Sequence, residues 1–280
     1  MSVLRVLGGI AAPLLSRPVH LVRSKRSDKQ PPPQARKLEP VSNSMLATLP
    51  KLHCQRLLSG LELATLDFGD VLHESGDPIQ HVYFPNNCVV SLLTLVEGER
   101  ALEVGLVGRE GMVGVSLALG SDVSPVRALV QGAGTAMRMK AARFRKELRK
   151  SLPLQSAVHR YANALMVQVS QTAACNRFHM ADARLARWLL MMRDRGRSSH
   201  IHLTHEFLSA MLGVRREGVT VAAGKLQAAG LIQYSRGNIR ILDHQGLESA
   251  SCACYEIVRA LHPARAPGNL PRETAFRFPA

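Results

Sequence analysis

The chain has 280 residues, with 36 Lys and Arg against 21 Asp and Glu, a formal net charge of +15 when the histidines are neutral. That length suits about two domains, and a 46% hydrophobic content excludes a wholly disordered chain. No run reaches the roughly 18 uncharged apolar residues of a membrane-spanning helix, so the excess charge points to a polyanionic partner, nucleic acid before an anionic membrane surface.

Residues 1–43 read as a basic, disordered extension. Arg5, Arg17, Arg23, Lys25 and Arg26 precede the first acidic residue, and Pro31-Pro32-Pro33 follows. An Arg-rich, acid-poor start also fits an organellar presequence; a plain basic arm or a start codon placed too far upstream is the simpler reading.

Residues 44–150 predict a short helix around Leu46–Leu58 and then an antiparallel β-roll. Val71-Leu72, Ile79–Phe84, Val89–Val96 and Leu102–Val107 are short runs rich in β-branched residues, and glycines such as Gly76, Gly98, Gly108 and Gly120 separate them. Ala141–Lys150 predicts a short basic helix. Pro153 can open the next one at its first turn, where a missing N–H costs nothing. In that helix, over residues 151–176, Leu154, Val158, Tyr161 and Leu165 fall at spacings of four, three and four. Such a seam fits either a helix packed on its own domain or a dimer helix.

Residues 177–262 carry the most informative pattern. Asp182–Arg195 is an amphipathic helix with Leu185, Trp188, Leu189 and Met192 on one face. Thr204 is a good helix N-cap before Phe207, Leu208 and Met211, and Gly213 ends that helix. A second helix follows from about Arg215 to Ala229, with Val219, Ala222, Ala223 and Leu226 inward. Leu231–Tyr234 and Ile239–Leu242 then flank the turn Ser235-Arg236-Gly237-Asn238. Helix, turn, helix and hairpin make a winged helix. Residues 263–280 read as a disordered tail.

Charge placement supports DNA. Arg215, Arg216 and Glu217 open the second helix, the end that enters the major groove in such folds. Arginine pairs with guanine O6 and N7 and glutamate accepts from cytosine N4. Thr220 lies one turn on, Arg236 at the hairpin tip suits a phosphate contact, and Thr204 at the start of the first helix is a further candidate DNA contact. Arginines at a helix start oppose the dipole, which a purely structural choice would avoid.

The order of β-roll, long helix and winged helix is similar to the cyclic AMP receptor protein / fumarate–nitrate regulator (Crp/Fnr) superfamily of transcription regulators, over roughly Leu46 to Tyr255. It is strongest over CNRFHMADARLARWLLMMRDR (Cys175–Arg195) and LTHEFLSAMLGVRREGVTVAAGKLQAAGLI (Leu203–Ile232). The resemblance implies an α+β fold and a cytoplasmic homodimer that reads a pseudo-palindromic duplex site. It places Arg216 and Glu217 on the base-reading pair, puts Val221 where the family has a further base contact, and favours Leu154, Val158, Tyr161 and Leu165 as the dimer interface. Implied partners are double-stranded DNA, a second copy, RNA polymerase and a small-molecule effector. The family's cyclic-nucleotide anchors, Gly-Glu and a later Arg-Ser/Thr, align with Gly114-Val115 and Ser124-Pro125. A buried phosphate without its cation is disfavoured, so no cyclic AMP response of the usual mode is expected.

Cys54, Cys88, Cys175, Cys252 and Cys254 are an odd, dispersed set that suits a reducing compartment. Cys252-Ala-Cys254 has no partner pair at zinc-finger spacing, so these read as ordinary thiols with no metal or cofactor. His159 and His179 read as surface or capping residues rather than haem ligands. Catalysis is not expected: His205-Glu206 lacks the second histidine of a zinc protease motif, and Gly114-Val-Ser116-Leu-Ala118 lacks the second glycine of a nucleophile elbow. The competing reading is a β-roll interaction module whose basic arm touches membrane lipid or a protein partner.

Overall fold

The computed structural model describes residues 42–96, 100–203, 205–235 and 237–261; the expected tail and all but the last two residues of the expected arm lie outside them. Asn43, assigned to the arm, belongs to the fold. It is fully buried, its side-chain oxygen caps α1 (Ser44–Ala47), and its Nδ2 donates to the carbonyls of Pro85 and Gly111. Where one helix was expected there are two. Pro50, which has no N–H to continue the first, stands at the N-cap of α2 (Lys51–Leu58).

The β-roll is built from β1 (Glu62–Leu66), β2 (Val71–His73), β3 (His81–Pro85), β4 (Val89–Val96), β5 (Arg100–Val107), β6 (Arg127–Gly132) and β7 (Gly134–Lys140). A 3₁₀ turn at Val115–Leu119 sits between β5 and β6. The strands form two antiparallel sheets, ordered β1-β7-β3 and β2-β6-β4-β5. Val82, Phe84, Val90, Val107, Val130 and Met139 fill the space between them. Over its first five residues β4 is buried without alternation because both of its faces are covered there, whereas Thr94, Leu95 and Val96 are exposed. Val90 and Leu92 face the roll interior, while Val89 and Leu93 belong to a second core shared with the C-terminal helices.

α3 (Ala141–Lys150) and α4 (Leu152–Phe178) follow, with the Ser151 hydroxyl accepting from the Leu154 N–H and Pro153 in the first turn of α4. Leu154, Val158 and Tyr161, expected at a dimer seam, are instead buried in their own protomer's core, and the half-buried Leu165 packs against it. This corrects the expectation. The apolar spacing exists because the β-roll buries that face. The Tyr161 ring lies against Gly111, where even a Cβ would sit about 2.0 Å from the ring.

The second core gathers α5 (Ala181–Gly196), β8 (His200–His202), α6 (His205–Leu212), α7 (Arg216–Ala228), β9 (Ile232–Ser235), β10 (Asn238–Ile241), α8 (His244–Ala250) and α9 (Cys254–Ala260). Residues 184–192 of α5 are buried all round, as in a helix enclosed on every side. The hairpin β9–β10 gains a third strand from β8, in the order β8-β10-β9 with Ile201 opposite Ile239.

Candidate nucleic-acid interface

α7 carries the candidate site because its two faces differ sharply. Val219, Ala222, Ala223 and Leu226 are buried, as expected, against the second core. Arg215, Arg216, Glu217, Thr220 and Val221 are exposed. Burial of the first set at helical spacing fixes the rotation of α7 about its axis, so the second set must face solvent. Gly213 makes the turn before it with φ +59, and a Cβ there would meet Leu102 at 2.9 Å. The positive φ is what favours glycine, since Leu102 Cδ1 is the end of a flexible side chain that can give way.

Arg215 is the N-cap and makes no side-chain cap hydrogen bond, so it does not serve the helix. The N-terminal N–H groups and the positive end of the dipole share this surface with two guanidinium groups, a local concentration of positive potential. Thr220 donates its hydroxyl to the Arg216 carbonyl and is itself exposed. Val221 is 60% exposed beside it, an apolar surface of the kind that meets a thymine methyl. Lys225 is turned elsewhere: its Nζ is 2.9 Å from Asp182 Oδ2 on α5 and holds that carboxyl below its ordinary value. Of the expected contacts, the structure thus brings Arg215, Arg216, Glu217 and Thr220 onto one face; Thr204 and Arg236 lie outside the described residues.

Residues 183–250 match the model of the Crp-like helix-turn-helix domain. These residues, α5 to α8, therefore carry a Crp-like helix-turn-helix domain. Solved structures share the chain's fold. A protein from Eubacterium rectale described as a transcriptional regulator of the Crp/Fnr family has 18% identity and a TM-score of 0.59, over 75% of this chain and 98% of that one. FixK2 from Bradyrhizobium japonicum has 15% identity and a TM-score of 0.59, over 69% and 98%. The c-di-GMP-responsive global regulator CLP of Xanthomonas campestris has 18% identity and a TM-score of 0.57, over 69% and 100%. No curated protein matches. No helix among the described residues is long and apolar enough to cross a membrane.

The positions that the sequence resemblance aligns with the nucleotide anchors are occupied by packing contacts and local hydrogen bonds. Gly114 has φ +91, and Val115 packs against the roll core where the family pattern places a carboxylate. Ser124 is buried and gives its hydroxyl to the Val126 carbonyl. Arg127, the nearest arginine in sequence on β6, pairs with Glu74 at 2.7 Å.

The winged helix docks on the β-roll through buried charge. Trp188 Nε1 donates to Glu103 Oε1 at 2.8 Å and the Ser91 hydroxyl to Glu103 Oε2 at 2.5 Å. Burial outweighs these bonds and pushes the Glu103 carboxyl up to about 7. Arg195 of α5 pairs with Glu110 at 2.9 Å and also donates to Gln168 of α4, whose amide in turn donates to the Leu106 carbonyl.

A further cluster lies at the far end of α4. Cys175, His179, Cys252 and Cys254 bring their Sγ and imidazole nitrogen atoms within 4.8 Å of one another. Sequence spacing missed it because the two pairs are some 77 residues apart. Cys175 and His179, one helical turn apart on α4, would have been the signal.

Proposed function

We propose that this chain is a transcription regulator of the Crp/Fnr type, a homodimer that reads a two-fold related pair of duplex half-sites with α7 in the major groove. The exposed Arg215–Arg216–Glu217–Thr220 face at the N-terminus of α7 carries this reading, since groove-reading helices present that end to base edges. Arg216 takes guanine, Glu217 a cytosine amine, and Val221 favours a thymine methyl over a polar base edge. Thr204, just before α6, and Arg236, between β9 and β10, supply phosphate contacts that position without specifying.

The dimer forms through the face of α4 that the β-roll leaves uncovered. Ser156, His159, Asn163, Met166, Ser170 and Ala173 are all exposed, at alternating spacings of three and four, the repeat of a two-helix seam. The β-roll senses something other than cyclic AMP bound in the usual mode, because Val115 and the Ser124–Val126 hydrogen bond occupy the anchor positions.

Selection of bound sequences from a random duplex pool tests the reading, with a two-fold symmetric motif as the expected result. Arg216→Ala should then relax base preference at one position per half-site and weaken binding by roughly 1–3 kcal/mol. Base preference unchanged in that variant would overturn the assignment of α7 as the reading helix.

A further inference from the structure

The structure assigns a second site, independent of DNA reading: Cys175, His179, Cys252 and Cys254 form a Cys3His site for a single tetrahedral zinc-type ion, clasping the end of α4 to the turn between α8 and α9. The first two donors come from the last turn and C-cap of α4, the other two from the α9 N-terminus and the residues just before it.

The donor set and its size both fit. Three thiolates and an imidazole are a standard zinc complement. With zinc–sulfur bonds of about 2.3 Å, a tetrahedral ion holds its donors somewhat under 4 Å apart. Here Cys175 Sγ is 3.5 Å from Cys252 Sγ, and Cys254 Sγ is 3.4 Å from His179 Nδ1. All four donors lie within 4.8 Å of one another, so small side-chain adjustments centre one ion. An iron–sulfur cluster sits between its thiolates and forces them apart, so this compact arrangement suits one ion.

The surroundings point the same way. The three thiols belong to neither main core but form a small group of their own with Ala183, so apolar packing does not account for them. Gln171 Nε2 lies 3.0 Å from Cys254 Sγ, an outer donor of the kind that steadies a metal thiolate. Three thiolates around a divalent ion leave a net charge of −1. Arg184 and Arg187, both buried, lie within electrostatic reach of Cys175. Neither forms an ion pair with a carboxylate among the described residues, and each has a buried Nε without a hydrogen-bond partner. An anionic metal centre would balance that charge.

His179 stands where α4 gives way to α5, so an ion there stiffens the joint between the long helix and the winged helix. Because His179 is exposed while the thiols are buried, solvent reaches the ion from one side and exchange stays open.

The test uses the full chain, stripped with a chelator and kept anaerobic and reduced, then titrated with Zn(II) or Co(II). One equivalent should bind, Co(II) should show the intense visible bands of a tetrahedral thiolate complex, and zinc should raise the Tm, since an ion that binds only the folded state stabilises it. The Cys252→Ser/Cys254→Ser variant should lose all three effects. His179→Gln alters an exposed side chain and guards against simple misfolding. It should keep the wild-type far-UV spectrum, bind at least about tenfold more weakly, and change the Co(II) spectrum. No stoichiometric uptake by the reduced wild type, uptake unaltered in the double-serine variant, or a Cys175–Cys252 disulfide formed in place of metal binding would each overturn the site.

Discussion

Helix α4 meets the β-roll in two different manners along its length. Over its first turns Leu154, Ala157, Val158 and Tyr161 enter a dry core, with Val158 fully excluded from solvent. From Gln168 onward the buried positions are Gln168, Thr172 and Cys175. There the contact runs through hydrogen bonds, Gln168 linking the Leu106 carbonyl of β5 to Arg195 of α5. A dry contact responds to volume and shape. A buried polar contact responds to protonation and to the loss of single partners. The contact of α4 with α5 that protonation or loss of one partner can change is therefore the polar stretch, not the apolar one.

The largest expected effect falls on the dry stretch. Leu154→Ala should lower protomer stability by about 2–5 kcal/mol, read from the denaturant midpoint, because the surrounding core cannot close the cavity. A loss no greater than a surface substitution gives would mean that this face of α4 is not sealed by the roll.

The polar junction should show a smaller effect, and one that depends on pH. Burial raises the Glu103 carboxyl from an ordinary 4.5 to about 7. The folded state therefore holds a proton that the unfolded chain gives up. The stability this proton contributes is fully present below about pH 4.5 and is lost as pH rises through about 7. The loss should approach about 3 kcal/mol for a shift of this size. Glu103→Gln keeps an acceptor for Trp188 and cannot ionise, so the difference between wild type and variant should grow across that window. A difference independent of pH would show that the junction does not titrate.

Much of the winged helix was legible because its signals are local. Gly213, the inward Val219-Ala222-Ala223-Leu226 set and the pairing of Ser235 with Asn238 each depend on a few neighbouring residues, and the structure places each as the pattern required. β4 was legible to the residue. β8 was missed, since His200–His202 has only Ile201 to mark it and depends on β10 for pairing. The seam on α4 was assigned to the wrong neighbour for a general reason: hydrophobic periodicity reveals that a face is buried but not which body buries it. The Cys3His cluster was invisible for a related one. Spacing rules detect donors supplied by one local segment, whereas here the fold brings together the end of one helix and the start of another.

The uncovered face of α4 offers the smallest expected change in protomer stability and the sharpest contrast with Leu154. Met166 is 63% exposed and sits mid-way along the Ser156–Ala173 stripe. Its replacement by glutamate should alter protomer stability by no more than about 0.5 kcal/mol, as for other exposed positions. If that stripe is the seam, a glutamate from each copy would be forced into one desolvated contact, where like charges and lost hydration both oppose association. Sedimentation velocity should then show the dimer giving way to monomer while the secondary structure stays intact. A dimer undisturbed by Met166→Glu would move the interface off α4 altogether, because the other face of its first turns is already taken by the β-roll.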